Sequence, residues 1–419
     1  MAHSYLFALT DGGGTVPPEL GAARRLVERG HDVTVLGEDS MAPEVVATGA
    51  AFAPWRAAPN RSDRGPAGTD YRDWEIRGPL AQARGMADHM LVGPATGQAL
   101  DVTATARRVR PDLVVTSFVA LGAMIAAEAE GIPFDVLLPN IYTMPAHGMP
   151  PMGMGLRPAA GPLGRLRDQL MNGASTRLID KYVLPRLNAV RHEYGLTPVE
   201  HTWEQVHRAR RLLLLTSQEF DFPAELPSNA RYVGPVLDDP AWAVDTVWSA
   251  PPGDAPLVLV ALSSTFQDQA ACLQRIADAL GSLPVRGLVT TGPALSPADL
   301  RAPSNVTVVG SAPHRDVMRQ AALVVTHGGH GTLIKAFSAG LPAVVLHHGR
   351  DQADNAVRVT ARGAGVAVRR TAPSSTIARA VRQVVEDPAY AQAAEALGAA
   401  ARRDAQSGLL VTELERLTR

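Results

Sequence analysis

The residue types best suited to chemistry fall in one stretch, from Val325 to Val366. It opens on an apolar strand, turns through a glycine-rich segment and enters a helix predicted to begin near Leu333. Glycines let backbone approach a ligand closely, and the free N–H groups and dipole of a helix's first turn favour an anion. The sequence therefore predicts a phosphate site at this turn, formed by His327, Gly329, His330, Gly331 and Thr332.

A second pair of polar residues follows the next buried strand of the same stretch. Residues 343–346 are apolar, and Asp351 and Gln352 come soon after them. Ligands of open α/β sheets bind at the carboxyl ends of the strands, so both turns should meet at one edge. We expect the first turn to bind phosphates and the second to bind a polyhydroxylated group.

Together these elements resemble the donor-binding signature of GT-B glycosyltransferases of the UDP-glycosyltransferase superfamily, glycosyltransferase family 1. The similarity is to the bacterial macrolide and natural-product group. Its pattern is roughly H-G-G-x-G-T, G-x-P, D-Q-x-x-N-A and G-x-G. This chain matches it with HGGHGT at 327–332, GLP at 340–342, DQADNA at 351–356 and GAG at 363–365. Such a combined pattern is far more specific than a lone glycine motif.

The resemblance implies roles for residues along the second half of the chain. His327 and the turn after it would hold the nucleotide diphosphate, and Asp351 and Gln352 would bind hydroxyls of the donor sugar. A turn after an earlier strand would also meet the donor phosphates, and a later segment would read the base. Those two sets are Ser263, Ser264 and Thr265, and Pro313 and His314.

The histidines of this region leave alternatives open. His330 could bind a phosphate or a sugar hydroxyl, or it could be a partly exposed turn residue. His347 and His348 precede Asp351, and their spacing could suggest a metal site. Adjacent residues at a strand end point in opposite directions, however, so we expect no metal there.

The catalytic base is where the sequence departs from the family. The resemblance puts Thr15 where a histidine is usual and Ser117 where a supporting aspartate is usual. Neither hydroxyl is a base at pH 7 on its own. Asp11 is the nearest carboxylate, and a partly desolvated aspartate could serve. Its alternative role is to accept hydrogen bonds from the N–H groups of the glycine turn.

Metal ions and redox cofactors are not expected to take part. No two aspartates are spaced i, i+2, so the Asp-x-Asp motif of metal-dependent transferases is missing. The glycine turn, the helix dipole and His327 would stabilise the leaving phosphates instead. The first turn, residues 12–17, reads G-G-G-T-V-P and fails the G-x-G-x-x-G pattern of a dinucleotide site.

Lys335 is informative about which nucleotide the donor carries. In plant relatives its position carries a glutamate that binds the ribose hydroxyls, and a lysine cannot accept those hydrogen bonds. The substitution favours dTDP over UDP, although Lys335 could also be a solvated helix residue.

An irregular segment of the first half is a candidate acceptor site. Residues 141–162 hold four methionines among prolines and glycines. Long irregular segments inside a domain are usually functional or disordered, and methionines suit an adaptable apolar surface. The residues expected to contact a hydrophobic acceptor are Met144, His147, Met149 and Met152. The alternatives are a loop packed on its own domain and, for His147, a surface position.

Alternating strand and helix patterns predict two α/β domains. The first strand is expected at residues 4–10, followed by a helix from Pro17 to Arg29, and a single helical pattern covers residues 81–109. We predict an N-terminal acceptor-binding domain over residues 1–237, a linker over 238–256 and a donor-binding domain over 257–395. Residues 396–419 should form a helix that returns to the first domain, and residues 59–80 a long polar loop.

The composition of the chain limits the kinds of binding partner and the cellular location that we expect. The chain has 419 residues, 46% hydrophobic, and a net charge of −1, which argues against nucleic acid or an acidic membrane as the main partner. The lone cysteine, Cys272, and the lack of a signal-like start or a 20-residue apolar run fit a cytoplasmic protein without a membrane span. Two lysines among 40 basic residues suggest a GC-rich, actinomycete genome. A homodimer is left open.

We therefore expect two Rossmann-like domains facing across a cleft in a GT-B fold. The reaction would be inverting, metal-independent transfer of a sugar from a dTDP- or UDP-sugar to a hydrophobic natural product. A sugar-nucleotide epimerase on the same fold is one alternative. A non-catalytic partner of another transferase, which has lost its base, is the other.

Overall fold

The computed structural model describes residues 2–65, 71–244 and 248–417. Within these ranges the chain forms a seven-stranded and a six-stranded sheet, and every strand pair is parallel. The strand orders are β3-β2-β1-β4-β5-β6-β7 and β10-β9-β8-β11-β12-β13. Both reverse direction beside their first strand, which is the doubly wound order of nucleotide-binding sheets.

The strands are short and mostly buried, as parallel strands covered by helices on both faces must be. Those of the first sheet are β1 Ser4–Ala8, β2 Asp32–Gly37, β3 Ala51–Pro54, β4 Leu113–Ser117, β5 Phe134–Leu138, β6 Arg211–Leu214 and β7 Ala230–Tyr232. Those of the second sheet are β8 Leu257–Ala261, β9 Arg286–Thr290, β10 Val306–Val309, β11 Ala321–Thr326, β12 Ala343–Val345 and β13 Gly365–Ala367.

Helices connect the strands. In the first half they are α1 Val16–Glu28, α2 Ala42–Ala47, α3 Pro79–Met86, α4 Ala95–Val109, α5 Leu121–Ala129, α6 Gly161–Glu193 and α7 Glu204–His207. In the second half they are α8 Ala241–Val244, α9 Ala270–Gly281, α10 His314–Met318, α11 His330–Ser338, α12 Gln352–Ala361, α13 Ser374–Glu386, α14 Pro388–Ala405 and α15 Leu409–Glu415.

The helix expected over residues 81–109 is interrupted, which corrects that prediction. After α3 the chain makes a π-helical turn over Ala87–Leu91, and α4 begins at Ala95. The N–H groups of Val92 and Gly93 both reach the carbonyl of Ala87, and a Cβ on Gly93 would lie 1.7 Å from the Asp88 carbonyl oxygen. Pro94, which has no N–H, then starts the next helix.

The predicted loop and linker are partly structured. Residues 66–70, inside the predicted loop 59–80, and residues 245–247, inside the predicted linker, lie outside the described residues. The linker contains α8, and its first residue is fixed to the first domain, because Arg24 and Arg25 donate hydrogen bonds to the Asp238 carboxylate. The start of the linker is therefore packed rather than a free spacer.

The C-terminal segment crosses between the two sheets. Helix α14 runs unbroken to Ala405, so the expected boundary at 395 lies inside a helix. Leu410 and Leu414 of α15 belong to the buried cluster of β1 and α1, and the Tyr5 hydroxyl donates to the Leu414 carbonyl. The chain end thus packs on the first domain, and its residues 418 and 419 lie outside the described part.

A buried ion pair joins the two domains. Arg358 of α12 donates to the Asp221 carboxylate over 2.9 and 2.7 Å, and the side chains are 3% and 0% exposed. The other Asp221 oxygen accepts from the Tyr142 N–H and the Tyr232 hydroxyl, and the Arg358 guanidinium stacks 4.4 Å from the Phe222 ring centroid. With its hydrogen bonds satisfied on both sides, the pair fixes one arrangement of the domains.

We expect Arg358→Met to lower the free energy of unfolding by about 3–5 kcal/mol, because it leaves the Asp221 carboxylate buried without its counter-ion. The matched control is Arg319→Met, which breaks the exposed pair with Asp316 and should cost about 1 kcal/mol or less. Urea unfolding at pH 7.5 measures both losses. Equal losses for the two variants would contradict the role given to the interdomain pair.

Candidate functional site

The carboxyl ends of β8, β11 and β12 meet at the edge of the second sheet that faces the first domain. After β11 the chain turns through His327 and Gly328, with Gly328 at φ +94°, and α11 begins at His330 after an extended Gly329. Helix α11 therefore starts three residues earlier than expected. Its first-turn N–H groups lie at this edge, and the amino end of a helix favours an anion.

His327 packs against the turn it begins. A Cβ on Gly329 would lie 2.7 Å from the His327 ring, so a larger residue there would displace the ring. Burial lowers the pKa of His327 to about 3, reinforced by His348 and Arg350, while a hydrogen bond to the Ala261 backbone opposes the shift. His327 is thus a neutral hydrogen-bonding ring at pH 7 rather than a cation.

The turn after β8 presents hydroxyl groups beside this helix. Ser263 and Thr265 are buried and hydrogen-bonded to each other, Oγ to Oγ1, over 3.1 Å, and the Thr265 N–H donates to Ser263 Oγ. Ser264 is half-buried between them. The structure thus brings the three predicted hydroxyls to the same edge as the phosphate turn.

Asp351 and Gln352 follow β12 at the same edge but differ in what they can offer a ligand. Both ends of the Gln352 amide are used inside the protein: its Oε1 accepts from the His348 N–H, and its Nε2 donates to Gln267. Asp351 accepts from Asn355 Nδ2 over 2.8 Å through one oxygen. Burial raises the pKa of Asp351, and the Asn355 hydrogen bond opposes that shift. Asp351 keeps hydrogen-bonding capacity for a ligand, whereas Gln352 shapes the loop.

Pro313 and His314 lie where α10 begins, and Lys335 is nearby on α11. His314 Nε2 is 3.3 Å from Thr290 Oγ1, and burial, together with Lys335, lowers the pKa of His314 to about 4. Lys335 forms a 2.8 Å ion pair with Asp239. It is therefore not a solvated helix residue, and its partner brings a carboxylate to this end of the site.

His330 does not face the phosphate turn, which corrects one interpretation of the sequence. Its Nε2 lies 2.8 Å from Thr216 Oγ1 of the first domain, and its ring leans on Phe220. Burial, with Arg358, lowers the pKa of His330 to about 3. The His330 side chain is buried in the domain contact, so only its backbone N–H could serve the predicted phosphate site.

Of the two histidines after β12, His348 hydrogen-bonds to the backbone just after that strand. His348 Nδ1 lies 2.8 Å from the Leu346 carbonyl, and His347 has no part in that contact. Among residues 2–65, 71–244 and 248–417, no three His, Cys, Asp or Glu side chains are grouped closely enough to hold a metal ion.

The first domain brings its glycine turn against these loops. A Cβ on Gly13, which has φ +70°, would lie 2.5 Å from Thr265 Cγ2 and 3.0 Å from Ser264 Oγ. A Cβ on Gly331 would lie 3.8 Å from the Gly14 carbonyl oxygen. The carboxyl edges of the two sheets therefore face each other, with Thr15 at the start of α1 beside the contact.

Asp11 is not a free carboxylate, which contradicts the expectation that it could serve as the catalytic base. Its carboxylate accepts hydrogen bonds from Arg64 Nε at 2.6 Å, Ser40 Oγ at 2.7 Å and the Gly13 N–H at 2.9 Å. Burial alone would raise the pKa of Asp11, but Arg64 and Arg61 hold it below its usual value. A neutralised carboxylate of low pKa takes up protons poorly, and Asp11 instead organises the glycine turn, the alternative considered above.

Sequence reasoning missed the carboxyl group beside Ser117. The Ser117 hydroxyl donates to Glu19 Oε1 over 2.6 Å, and Glu19 is 0% exposed. Burial raises the pKa of Glu19 to about 8, with Asp11 adding to the shift and the Ser117 hydrogen bond opposing it. A signal was present, because Glu19 lies in the buried stripe of α1 between Val16 and Leu20.

The proposed acceptor residues are not brought together. Met144 and Met149 are 3% exposed and belong to the core of the first domain, so they are not surface contacts for a ligand. His147 is a surface residue with a 74% exposed side chain, 3.4 Å from Glu225. Of the three methionines in this set, Met152 remains accessible, at 42%.

The irregular segment is nevertheless attached to the donor-binding domain. The N–H groups of Gly153 and Gly155 both donate to the Asp354 carboxylate, three residues after Asp351. Both glycines have positive φ, and a Cβ on Gly155 would lie 3.1 Å from the Ala353 carbonyl oxygen. The segment thus borders the predicted sugar site.

Comparison with known proteins agrees with this geometry. Residues 275–417 match the family described as erythromycin biosynthesis protein CIII-like, C-terminal domain. The chain is 29% identical over 402 residues to the 4'-demethylrebeccamycin synthase of Lentzea aerocolonigenes, covering 93% of each chain.

Solved structures share the fold. The glycotransferase of kitacinnamycin superposes with a TM-score of 0.76 at 22% identity, covering 100% of this chain and 99% of that one. The spinosyn rhamnosyltransferase SpnG complexed with thymidine diphosphate gives 0.70 at 19% identity, covering 98% and 100%.

The fold is therefore GT-B, as predicted, and the protein is an enzyme of the glycosyltransferase class. Along nearly its whole length the chain is similar to glycosyltransferases of natural-product biosynthesis. The epimerase and the non-catalytic partner considered from the sequence are set aside. No helix in the described ranges has the length and apolarity needed to cross a membrane.

The buried His330 predicts a pH dependence of stability. The pKa of His330 in the folded chain is about 3, below the ordinary value of 6.5. As pH falls below 6.5, His330 therefore binds a proton in the unfolded chain but not in the folded chain, and the folded state loses stability. Relative to His330→Gln, the wild type should lose about 1.4 kcal/mol of stability per pH unit between pH 6 and pH 4.

Urea unfolding at pH 7.5, 6 and 5 measures that difference. The contrasting variant is His201→Gln, because the hydrogen bond that His201 donates to the Asp180 carboxylate raises the pKa of His201 and reverses the sign. A parallel pH profile for the wild type and His330→Gln would show that His330 is not held neutral.

Proposed function

We propose that the enzyme is an inverting, metal-independent transferase that moves a sugar from a dTDP- or UDP-sugar to a hydrophobic small molecule. The observation that carries this proposal is the amino end of α11, which opens beside neutral His327 and the Ser263–Thr265 hydroxyls. Fixed N–H and O–H dipoles stabilise the charge that grows on a departing diphosphate without needing to reorganise.

The arrangement of the domains supports inversion. The diphosphate would be held by the second domain, while the acceptor would approach from the glycine turn of the first, which lies directly across the contact. A nucleophile entering opposite the leaving group in one displacement inverts the anomeric carbon. Asp351, at the same edge, is the proposed contact to a donor-sugar hydroxyl.

The end of the site around Lys335, where the nucleoside would bind, favours dTDP over UDP. Lys335 cannot accept hydrogen bonds from ribose hydroxyls, and its Asp239 partner already accepts from Lys335 Nζ and from the Arg315 N–H. Less acceptor capacity then remains for a second ribose hydroxyl, which deoxyribose lacks. The thymidine diphosphate bound to the SpnG rhamnosyltransferase supports the same preference.

The acceptor surface is proposed to follow the outer side of the irregular segment rather than its buried methionines. Met152 and Met154 are 42% and 51% exposed on either side of Gly153, which is attached to Asp354. Exposed apolar side chains continue along the start of α6, at Leu163, Leu166 and Leu170. An apolar surface leading to the sugar site suits a hydrophobic natural product.

A nucleotide panel tests the donor site. We expect dTDP, and to a lesser degree UDP, to raise Tm by about 5 °C or more at 100 times Kd, equally in EDTA and in Mg²⁺. GDP and ADP should give small shifts. His327→Ala should reduce the shift, whereas His201→Ala, on the exposed surface of the first domain, should leave it intact. No shift with any nucleotide, or one that requires Mg²⁺, would contradict the proposal.

A further inference from the structure

The reaction leaves one requirement that the proposed donor site does not meet. When the acceptor oxygen bonds to the sugar, its proton must go to a group of the enzyme or to solvent. Of the three candidates read from the sequence, Asp11 is neutralised by Arg64, and Thr15 and Ser117 are hydroxyls. A carboxyl group in contact with one of these residues could take the proton instead.

Glu19 is such a group, and its position is unusual. It sits in the first turn of α1, its N–H donates to the Thr15 carbonyl, and its carboxyl accepts from Ser117 Oγ at the end of β4. Ser117 Oγ also accepts from the Thr10 N–H at 3.4 Å, just before the glycine turn that meets Ser264 and Thr265. The pair therefore lies at the carboxyl edge of the first sheet, the edge whose glycine turn meets the donor loops.

The second Glu19 oxygen has no hydrogen-bond partner among the described residues, although the side chain is fully buried. A buried carboxyl with an unsatisfied oxygen destabilises a fold, so packing gives no reason for it. An apolar residue such as leucine would suit the buried stripe of α1 better. Such groups cluster at functional sites.

We propose that Glu19, acting through Ser117, is the positioning residue that receives the acceptor's proton. This inference rests on the proposed transferase function. The acceptor oxygen forms a bond to the anomeric carbon while the bond to the diphosphate oxygen breaks, and that electron pair leaves with the nucleotide. The acceptor's proton passes to Ser117 Oγ as the Ser117 proton passes to Glu19 Oε1, which leaves a neutral carboxylic acid.

This relay differs from the dyad that the family resemblance implies. The carboxyl group comes from α1 rather than from the end of β4, and a serine stands in the aspartate's position. The two changes are complementary. Ser117 is shorter than aspartate and has no carboxyl group, and Glu19 on the neighbouring helix supplies one. The result is a carboxyl–hydroxyl pair across the same two elements.

The charges around Glu19 set the pH range in which the relay works. Asp11 is the acidic group that acts on it, and the Asp11 charge is balanced by Arg64 and Arg61, which also bind Glu44 and Glu38. With a pKa of about 8, raised by burial, Glu19 must lose its proton before it can accept another. Transfer should therefore rise with pH and level off above about 8.

The test compares Glu19→Gln with the wild type in transfer from dTDP-glucose or UDP-glucose to two probes, 4-nitrophenol and 4-nitrobenzyl alcohol. Glutamine keeps the shape and accepts the Ser117 hydrogen bond but cannot take the proton. We expect kcat with the alcohol to fall about 100-fold or more, with a much smaller loss for the acidic phenol, and the rise between pH 6.5 and 8.5 to disappear. KM for the donor should be unchanged.

Three further variants separate the relay from a packing role. Ser117→Ala should reproduce the loss with the alcohol, and Glu28→Gln, an exposed glutamate on the same helix, should behave as the wild type. Glu19→Leu should raise Tm while losing transfer to the alcohol, which a merely structural residue would not do.

The outcomes distinguish failure of the Glu19 relay from failure of the proposed transferase function. A Glu19→Gln enzyme with the wild-type rate and pH profile overturns the relay and leaves the transferase function standing. Equal losses for the phenol and the alcohol overturn it as well, because the loss would then not follow the proton. A wild type that binds dTDP or UDP yet transfers sugar to neither probe nor to water would instead count against the proposed function, and the relay would fall with it.

Discussion

The buried pair of Arg358 and Asp221 is the interaction on which the arrangement of the site depends. It links α12, which follows the predicted sugar contact Asp351, to the segment after β6 of the first domain. Around it Tyr142, Tyr232 and Phe222 satisfy the remaining polar atoms or stack on the guanidinium. An ion pair so enclosed tolerates few geometries, so it holds the carboxyl edges of the two sheets at one separation.

That separation explains why each half of the site needs the other. The glycine turn after β1 approaches the Ser264 and Thr265 loop so closely that a Cβ on Gly13 would collide with it, and Asp11 keeps that turn in shape. The donor domain contributes N–H and O–H dipoles with a neutral His327, whereas the first domain contributes the buried Glu19 and Ser117 pair. In the proposed reaction, the leaving group is stabilised on one side of this contact and the proton is removed on the other.

The sequence could predict what is local. The alternation of strands and helices gave the two parallel sheets, and the donor signature lies in contiguous residues, so Ser263, His327 and Asp351 were found at one edge. It could not predict contacts between distant positions: Ser117 and Glu19 are 98 residues apart, and Arg358 and Asp221 are 137. The neutralisation of Asp11 depends on Arg64 in an irregular loop. Met144 and Met149 were misplaced because an irregular segment has no periodicity to reveal which side is buried.

The proposed reaction is a single displacement at the anomeric carbon, in which protein dipoles rather than a metal ion stabilise the departing diphosphate. The most direct test is to incubate the enzyme with α-configured dTDP-glucose in EDTA, with 4-nitrophenol as acceptor, and to assign the product's anomeric configuration from its proton coupling by NMR. A single metal-independent displacement predicts a β-glucoside, formed at the same rate in EDTA and in Mg²⁺. An α-glucoside, or a product that appears only with Mg²⁺, would contradict it.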